Sequence, residues 1–404
     1  MNPAALTITA SSGTTTYEGT PPTITPIYNG FVNGDNASKL TTQPACTTTA
    51  TSTSNAGSYP SSCAGASDPN YAISYVPGSV TINKANVNIA TTSNQPNPSV
   101  TGQPITVSFK ISPVPPATTM PTGDVGVKDD KADSGIETVA TGHVPLSIFT
   151  AGSRTLTATY YGDTNFNVAT SASVPQTVNK ADTTIAITSV SPGTTVPGPY
   201  GTNYTAVAGQ PVTFYFKLTV VAPGSEGATG APTGNVTVAN ARGVYCTASA
   251  GSGRCVTSFS EVTDYMLDAV YPGDSNYNSS VWGSVMEDIR DFAMNLDPST
   301  SVLGPGKYLL KLTSLNQFSG MVALSCNPGL EGTTCEFTPN PVSLDWTPLD
   351  WTPLESRTFV TVVIQMPKGA PAGTWPLDIV GTYGTGDPST GGLTHTISVN
   401  LTYP

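Results

Sequence analysis

Charge is scarce in this chain. Only 10% of its 404 residues are charged, whereas about 25% is usual for soluble domains. Lysine and arginine number 15 against 26 aspartate and glutamate residues, so the formal net charge is −11. Nucleic-acid-binding proteins present a clustered basic face, and anionic membranes attract basic segments. We therefore expect neither nucleic acid nor a membrane surface as a partner.

Long apolar runs are also missing. No stretch approaches the roughly 18 residues that a membrane-spanning helix needs, so we expect no membrane span. Met1 is followed almost at once by the strand-like run Leu6-Thr7-Ile8-Thr9, which does not fit a signal peptide. The sequence is therefore interpreted as either a mature product or an excised fragment.

Histidine occurs only twice, at His143 and His395, and the sequence has no GxSxG, HExxH or phosphate-loop pattern. Gly304-Pro305-Gly306-Lys307 contains the glycines and lysine of a phosphate loop, but Tyr308 stands where Ser or Thr is needed. These absences predict a protein that is not an enzyme, with no catalytic residues, no cofactor and no metal centre.

The six cysteines form three close pairs in the sequence, none of them a CxxC. Two histidines are too few for the usual zinc sites. An even number of closely spaced cysteines instead predicts disulfides and an oxidising compartment. The predicted pairs are Cys46–Cys63, Cys246–Cys255 and Cys326–Cys335.

Glycine (39) and proline (36) are abundant, while hydrophobic residues still make up 38% of the chain. Disorder usually combines low hydrophobicity with high charge, which is not the composition here. The apolar residues alternate with polar ones over short runs such as Ile105–Phe109, which is typical of strands with one face on a core. We predict an all-β protein, a tandem array of immunoglobulin-like β-sandwich domains.

Internal repetition divides the chain. Three motifs recur in the same order and at nearly the same spacing: Gly102–Lys110 as Gly209–Lys217, Pro121–Val125 as Pro232–Val236, and Tyr160–Asn167 as Tyr271–Asn278. The joins repeat as well, because Thr81–Ala85 resembles Thr177–Ala181. We therefore predict four domains joined by short, semi-rigid linkers, at residues 1–84, 85–180, 181–286 and 287–404.

These motifs carry a family resemblance that covers almost the whole chain. With Pro96–Val100, the Gly-Gln-Pro and Pro-Thr-Gly-x-Val strands and the Tyr-x-Gly-Asp-x-Asn-aromatic loops, residues 85–286 resemble the bacterial Ig-like repeats of large surface and secreted proteins. With Leu6–Ala10, Tyr28–Asp35 and Asn70–Tyr75, residues 1–84 look like the MBG-type repeat of bacterial adhesin-like proteins. With Phe318–Gly320, Leu324–Cys326, Cys335–Pro339 and Pro371–Thr374, residues 287–404 are similar to another secreted bacterial Ig-like type. The resemblance implies an extracellular location and a spacer, adhesive or filament role.

Several acidic residues have two interpretations. Asp163 and Asp274 either close turns through side-chain-to-backbone bonds or contribute carboxylates to calcium. The same alternative applies to two acidic clusters, one at Asp129, Asp130 and Asp133 and one at Glu287, Asp288 and Asp291. Neither cluster has the signature of a known calcium loop.

A duplicated segment, Leu344–Pro348 followed by Leu349–Pro353, contains Trp346 and Trp351. Together with Trp375 these tryptophans either contact a glycan or protein partner or pack on their own domain. We predict a non-catalytic structural or adhesive protein of a bacterium, with a repeating filament subunit as one version. Its partner would be another copy of itself, through the terminal strands Leu6–Ala10 and Ile397–Thr402, or a cell-surface glycan. The alternative is a glycan- or partner-binding accessory region of a larger secreted enzyme.

Overall fold

The structure is a computed structural model that describes residues 2–198, 201–227, 230–297, 306–345 and 357–403. Those residues form β-strands joined by turns, with a few single 3₁₀ turns and no α-helix among them. The chain folds as two units. Unit 1 contains Met1–Ala181 and Ala222–Gly230, and unit 2 contains Asp182–Val221 and Ala231–Pro404. The prediction of an all-β, tandem Ig-like fold is confirmed.

The first domain, in unit 1, packs a three-stranded sheet on a four-stranded one. Its sheets have the orders β3-β1-β6 and β2-β7-β5-β4. β1 bonds to β3 on one side and to β6 on the other. The prediction that Leu6–Ala10 is an edge free to pair with a neighbour is therefore wrong, because both edges of this strand are already used. The strands are β1 (Ala4–Ala10), β2 (Gly13–Thr16), β3 (Pro26–Asn29), β4 (Ala45–Thr48), β5 (Gly57–Ala64), β6 (Tyr71–Val76) and β7 (Gly78–Asn83).

The second domain, also in unit 1, is a two-sheet sandwich. One sheet has the order β13-β10-β8, and the other has the order β12-β11-β14-β16-β9, with β15 paired to β14. β10 buries Ile105, Val107, Phe109 and Ile111, as its alternating sequence predicts. The strands are β8 (Val87–Gln95), β9 (Ser99–Val100), β10 (Pro104–Pro113), β11 (Asp124–Lys128), β12 (Ser134–Thr138), β13 (His143–Ser147), β14 (Gly152–Tyr160), β15 (Ala169–Thr170) and β16 (Val174–Asn179).

The third domain, in unit 2, repeats these pairings. β20 lies between β17 and β23 as β10 lies between β8 and β13, and β21 lies between β22 and β24 as β11 lies between β12 and β14. The repeated Gly-Gln-Pro motifs therefore open equivalent strands. The strands are β17 (Thr183–Ser191), β18 (Thr195–Gly198), β19 (Gly201–Val207), β20 (Pro211–Val220), β21 (Asn235–Asn240), β22 (Gly243–Ser249), β23 (Arg254–Ser258), β24 (Asp264–Tyr271) and β25 (Ser280–Leu296).

β25 also enters the fourth domain. Its first part pairs with β24, and its last part, Asp291–Leu296, pairs with β26. The domain boundary predicted between residues 286 and 287 therefore lies inside one unbroken strand. The fourth domain's strands are β26 (Lys307–Leu315), β27 (Gly320–Pro328), β28 (Thr334–Thr338), β29 (Val342–Leu344), β30 (Arg357–Gln365), β31 (Gly373–Tyr383) and β32 (Leu393–Tyr403).

The second sheet of the fourth domain has the order β29-β27-β31-β32. Among the described residues β32 bonds to β31 alone, so it is an edge strand. The predicted terminal strand Ile397–Thr402 lies within it.

Candidate functional site

The Gly-Asp-x-Asn-aromatic loop after β14 is organised around one carboxylate. Asp163 Oδ1 accepts hydrogen bonds from the backbone N–H groups of Asn165 (2.7 Å) and Phe166 (2.9 Å). Asp163 Oδ2 accepts from the N–H (2.9 Å) and the hydroxyl (2.8 Å) of Thr122. Protein donors therefore occupy both carboxylate oxygens, which is the arrangement of a side-chain-closed turn.

The loop after β24 repeats this arrangement in unit 2. Asp274 accepts from the N–H groups of Asn276 (2.7 Å) and Tyr277 (2.9 Å), and from the N–H (2.7 Å) and hydroxyl (2.8 Å) of Thr233. Burial raises the pKa of the Asp274 carboxyl, but these hydrogen bonds outweigh it and hold the pKa below its usual value. Both loops thereby fix an aromatic side chain in a core, since Phe166 and Tyr277 are buried.

The first and second domains share a hydrophobic core. One continuous cluster of buried residues extends from Leu6 to Val178. At the join the Tyr17 ring meets the Phe166 ring edge to face, with centroids 5.6 Å apart. Ala85, in the linker, is fully buried and pairs with Phe166. Ala85 of the linker and Phe166 of the repeated loop therefore form one packed joint rather than a free hinge.

Glu18 ties the two domains together on the outside of this core. Its carboxylate accepts from the N–H (2.5 Å) and hydroxyl (2.9 Å) of Thr118, and from the N–H (3.2 Å) and hydroxyl of Thr119. The Thr119 and Thr118 bonds lower the pKa of Glu18 to about 2. Glu18 has a left-handed φ of 63°, a conformation that costs roughly 1 kcal/mol for a non-glycine residue and needs support from its surroundings.

Further bonds at this join come from the linker and from a loop of the first domain. The Asn165 side chain accepts from the Ala56 N–H and donates to Asn55 Oδ1, each at 3.0 Å. Lys84 Nζ donates to the Asp163 carbonyl oxygen at 2.5 Å. The repeated loop therefore has a second role, because its backbone and its Asn contact the preceding domain.

Unit 1 also includes residues 222–230, the segment that follows β20 in the sequence. The Ser225 hydroxyl donates to the Gly102 carbonyl oxygen at 2.7 Å, and the Ser225 N–H donates to the Thr101 carbonyl oxygen at 3.3 Å. A Cβ at Gly102 would collide with the Ser225 carbonyl, and its φ is +74°. The Gly-Gln-Pro turn thus needs glycine for close approach of another chain segment.

In unit 2 the loop between β26 and β27 contacts the third domain. Asn316 Nδ2 donates to Asp264 Oδ1 at 3.0 Å and to the Ile289 carbonyl oxygen at 2.8 Å. A Cβ at Gly209, in the second Gly-Gln-Pro turn, would lie 3.1 Å from Pro388 Cβ of the fourth domain. The unbroken β25 and these contacts make the third and fourth domains one packed piece.

The acidic cluster near this join is divided between the two faces of β25. Asp288 accepts from the Asn203 amide at 3.1 and 3.2 Å and lies 3.9 Å from Arg290. Asp291 Oδ1 lies 2.6 Å from His395 Nε2, and this hydrogen bond raises the pKa of His395. The cluster therefore does not converge on one point, as a calcium site requires.

Glu287 lies on the face of β25 opposite to Asp288 and is fully buried. Its strand neighbours are Tyr204 and Tyr265, and neither carboxyl oxygen has a hydrogen-bond partner among the described residues. Burial, with a smaller contribution from the nearby Asp288 charge, raises the pKa of Glu287 to about 8.

The other predicted acidic cluster is a turn held by an ion pair. Asp129 Oδ1 accepts from the N–H groups of Lys131 (2.8 Å) and Asp133 (2.9 Å). Asp129 Oδ2 lies 3.3 Å from Arg154 Nε, with both side chains buried. Asp130 instead accepts from the Thr155 N–H at 3.1 Å. The Arg154 guanidinium therefore supplies the positive charge that a bound calcium ion would supply at this cluster.

Three disulfides occur in the structure. Cys46–Cys63 joins facing residues of neighbouring strands, with Cα atoms 4.0 Å apart. The Cys246–Cys255 and Cys326–Cys335 bonds instead join the two sheets of their domains, from β22 to β23 and from β27 to β28. In the second domain the residues equivalent to Cys246 and Cys255 are Gly135 and Val144, whose sheets approach too closely for a side chain at Gly135.

We expect peptide mapping without reductant to recover all three pairs as intradomain links. Replacing Cys246 and Cys255 by alanine should lower the free energy of unfolding of unit 2 by about 3 kcal/mol. Without the cross-link the unfolded chain gains conformational entropy, and for a loop of this length the gain corresponds to about that free energy. Recovery of free thiols or of links between domains would contradict the assignment.

The structure describes only one of the three predicted contact tryptophans. The Trp375 indole N–H donates to the Pro371 carbonyl oxygen at 3.3 Å, and the side chain is half-buried. Trp346 and Trp351 lie outside the described residues. Trp282, which the sequence analysis did not single out, is 44% exposed on β25.

The described residues contain no group of three or more His, Cys, Asp and Glu side chains placed to hold a metal ion. No helix in that part of the chain is long and apolar enough to cross a bilayer. His143 and His395 are in different units.

Sequence reasoning missed Glu18, the Asp129–Arg154 pair and the burial of Glu287. Of these three features, only the burial of Glu287 could have been predicted from the sequence. Strand alternation places Glu287 with Ile289 on the core side and Asp288 on the other side.

Comparisons with known proteins agree with this fold. Residues 6–81 match the model of the MBG domain (YGX type), and residues 91–179 match that of the bacterial Ig-like domain (group 3). No curated protein matches the chain in sequence.

Solved structures with some similarity share little sequence. The fibronectin(III)-like modules of Clostridium thermocellum CbhA are 14% identical over 50% of this chain and 93% of that chain, with a TM-score of 0.20. Three N-terminal domains of the bacteriophage RB49 Highly Immunogenic Outer Capsid protein are 11% identical over 71% and 98%, with a TM-score of 0.22. The eight N-terminal Ig domains of Down Syndrome Cell Adhesion Molecule are 10% identical over 98% and 48%, with a TM-score of 0.22.

The two family matches follow each other along the chain in the order that the repeats and joins indicate. The chain therefore contains an MBG domain (YGX type) at residues 6–81, followed by a bacterial Ig-like domain (group 3) at residues 91–179.

Proposed function

We propose that this protein is a non-catalytic extracellular structural module of a bacterium, built as a stiff spacer with an adhesive or assembly role. The observation that carries the proposal is that neighbouring domains within each unit are packed together. The first two domains share one core through Tyr17, Ala85 and Phe166. The last two share β25.

Packed joints are useful to a spacer because they transmit position and force without a hinge. An unpacked linker of polar residues would let its domains reorient freely. The disulfides support an oxidising location, and the low charge leaves few ways to steer a charged substrate or ligand.

Location is tested on intact cells of the source bacterium. Antibodies against unit 1 should label intact cells or the medium, and external protease should remove the protein. Exclusive recovery from the cytosol would contradict the proposal.

The joint is tested with Glu18→Ala. This change removes the acceptor of all four Thr118 and Thr119 bonds, so we expect the first domain to reorient more freely. NMR relaxation of the full chain should give equal rotational correlation times for the first and second domains in the parent and different ones in the variant. Glu137→Ala, which removes a carboxylate from β12 instead, is the control.

The same joint should weaken in acid. The folded pKa of Glu18, about 2, lies below its value of 4.5 in an unfolded chain. Its contribution is therefore fully present above about pH 4.5 and is lost as the pH falls towards 2. Equal mobility of the parent joint at pH 7 and pH 2 would show that Glu18 does not hold it.

A further inference from the structure

Four edge strands of the described sheets are longer than six residues, and one of them differs from the rest. β8, β17 and β22 each pair with their neighbour through a register shift, at Ser108/Phe109, Ile187/Ser189 and Val238/Ala239. β32 pairs with β31 without any shift from Leu393 to Tyr403. Such irregularities are one means by which proteins prevent an edge from pairing with another chain.

β32 lacks the other protections as well. It contains no proline and no Lys, Arg, Asp or Glu. His395 is the only basic side chain of β32, and it points inward and bonds to Asp291. The side chains on its outer face are exposed and uncharged: Thr394, Thr396, Ser398, Asn400 and Thr402.

The opposite face of β32 holds the strand in place. Leu393 and Leu401 are buried in the core of the fourth domain. The strand is therefore anchored to its own sheet, while the backbone N–H and C=O groups on its free side have no partner strand among the described residues. Water solvates such groups one by one, whereas another β-strand pairs with the whole row in register.

We propose that β32 pairs with β32 of a second copy of this chain, antiparallel about a two-fold axis. An antiparallel pair of identical strands is self-complementary by symmetry. The uncharged outer row avoids the repulsion that two chains of net charge −11 would otherwise meet at an edge. Thr and Ser side chains placed opposite one another across strands also stabilise the pair.

This pairing deepens the proposed structural role by naming a partner. The spacer role rests on the packed joints and is tested separately from the dimer, because the Glu18 experiment does not involve β32.

The test uses the full chain in sedimentation velocity runs over a range of concentrations. We expect the parent to form dimers, with little dependence on salt. Thr396→Lys/Asn400→Lys places lysines on the outer row, where like charges meet across the two-fold axis, so its dissociation constant should rise by about tenfold or more at low salt. Mixing it with Thr396→Glu/Asn400→Glu should restore dimers.

The matched control is Thr184→Lys/Ser189→Lys, which adds the same charge to the exposed positions of the bulged edge β17. It should dimerise as the parent does. The melting temperature of each variant checks that the fold is retained, since all the changed side chains are exposed.

Hydrogen exchange provides the second measurement. The amides of β32 should become protected as the protein concentration rises, and those of β17 should not. A parent that stays monomeric at every concentration, a lysine variant that dimerises like the parent, or dimers without protection of β32 would overturn the proposal.

Discussion

Replacing Glu287 by methionine should stabilise unit 2, and the gain should grow as the pH rises. Methionine has nearly the same length and no polar oxygen, so it fills a fully buried position without burying an unpartnered polar group. The parent instead buries a carboxyl group whose two oxygens have no partner among the described residues. Such a group costs about 1–3 kcal/mol even when it is neutral.

The pH dependence follows from the folded pKa of about 8, against 4.5 in the unfolded chain. The folded state keeps its proton at a pH where the unfolded state has lost it. Stability therefore falls as the pH rises from about 4.5 to about 8 and stays low above that range. At about 1.4 kcal/mol per unit of pKa difference, the loss is of the order of 5 kcal/mol.

Tryptophan fluorescence isolates the relevant part of the chain. All four tryptophans, Trp282, Trp346, Trp351 and Trp375, belong to unit 2. Urea unfolding followed by this signal should show a parent that weakens between pH 5 and pH 9 and a Glu287→Met variant that weakens far less. Glu261→Met, which removes an exposed carboxylate of the same domain, should keep the parent's slope. Parallel slopes for the parent and Glu287→Met would show that Glu287 is solvated or paired in solution.

The fold was predictable because strand period and repetition are local signals. The alternation in Ile105–Phe109 fixes which side chains enter the core. The recurrence of Gly102–Lys110 as Gly209–Lys217 predicted that β10 and β20 occupy equivalent places, and both are flanked by equivalent strands.

The joints were not predictable, because their partners are distant in sequence. Glu18 meets Thr118 and Thr119 a hundred residues later, and nothing in the residues around either group indicates the other. The same limit applies to β1. Its sequence resembles an edge as much as a centre, and only its pairing with both β3 and β6 distinguishes the two.

The repeated aspartate turns lie between these cases. The motif was visible in the sequence, but the donors from Thr122 and Thr233 were not, because these residues belong to a different connection between strands. The bonds from Asn165 and Asn276 are local and follow from the motif itself.

Changing Asp274 to alanine should lower the free energy of unfolding of unit 2 by about 2–4 kcal/mol, because it removes the carboxylate that accepts from the N–H groups of Thr233, Asn276 and Tyr277. Asp274→Asn keeps one acceptor oxygen and should lose less. The stability that Asp274 provides is present above its unfolded pKa of 3.8 and is lost as the pH falls through its lower folded value. Asp163→Ala is the matched variant in unit 1.

The two alanine variants separate a turn from a calcium site. Urea unfolding by tryptophan fluorescence should reveal the loss for Asp274→Ala and no change for Asp163→Ala, because unit 1 contains no tryptophan. Hydrogen exchange of the Phe166 amide should reveal the corresponding loss in unit 1. Both losses should be the same in chelator and in added calcium, since protein donors occupy both carboxylate oxygens. A parent that gains stability with calcium and an alanine variant that does not would mean that these loops bind the ion in solution.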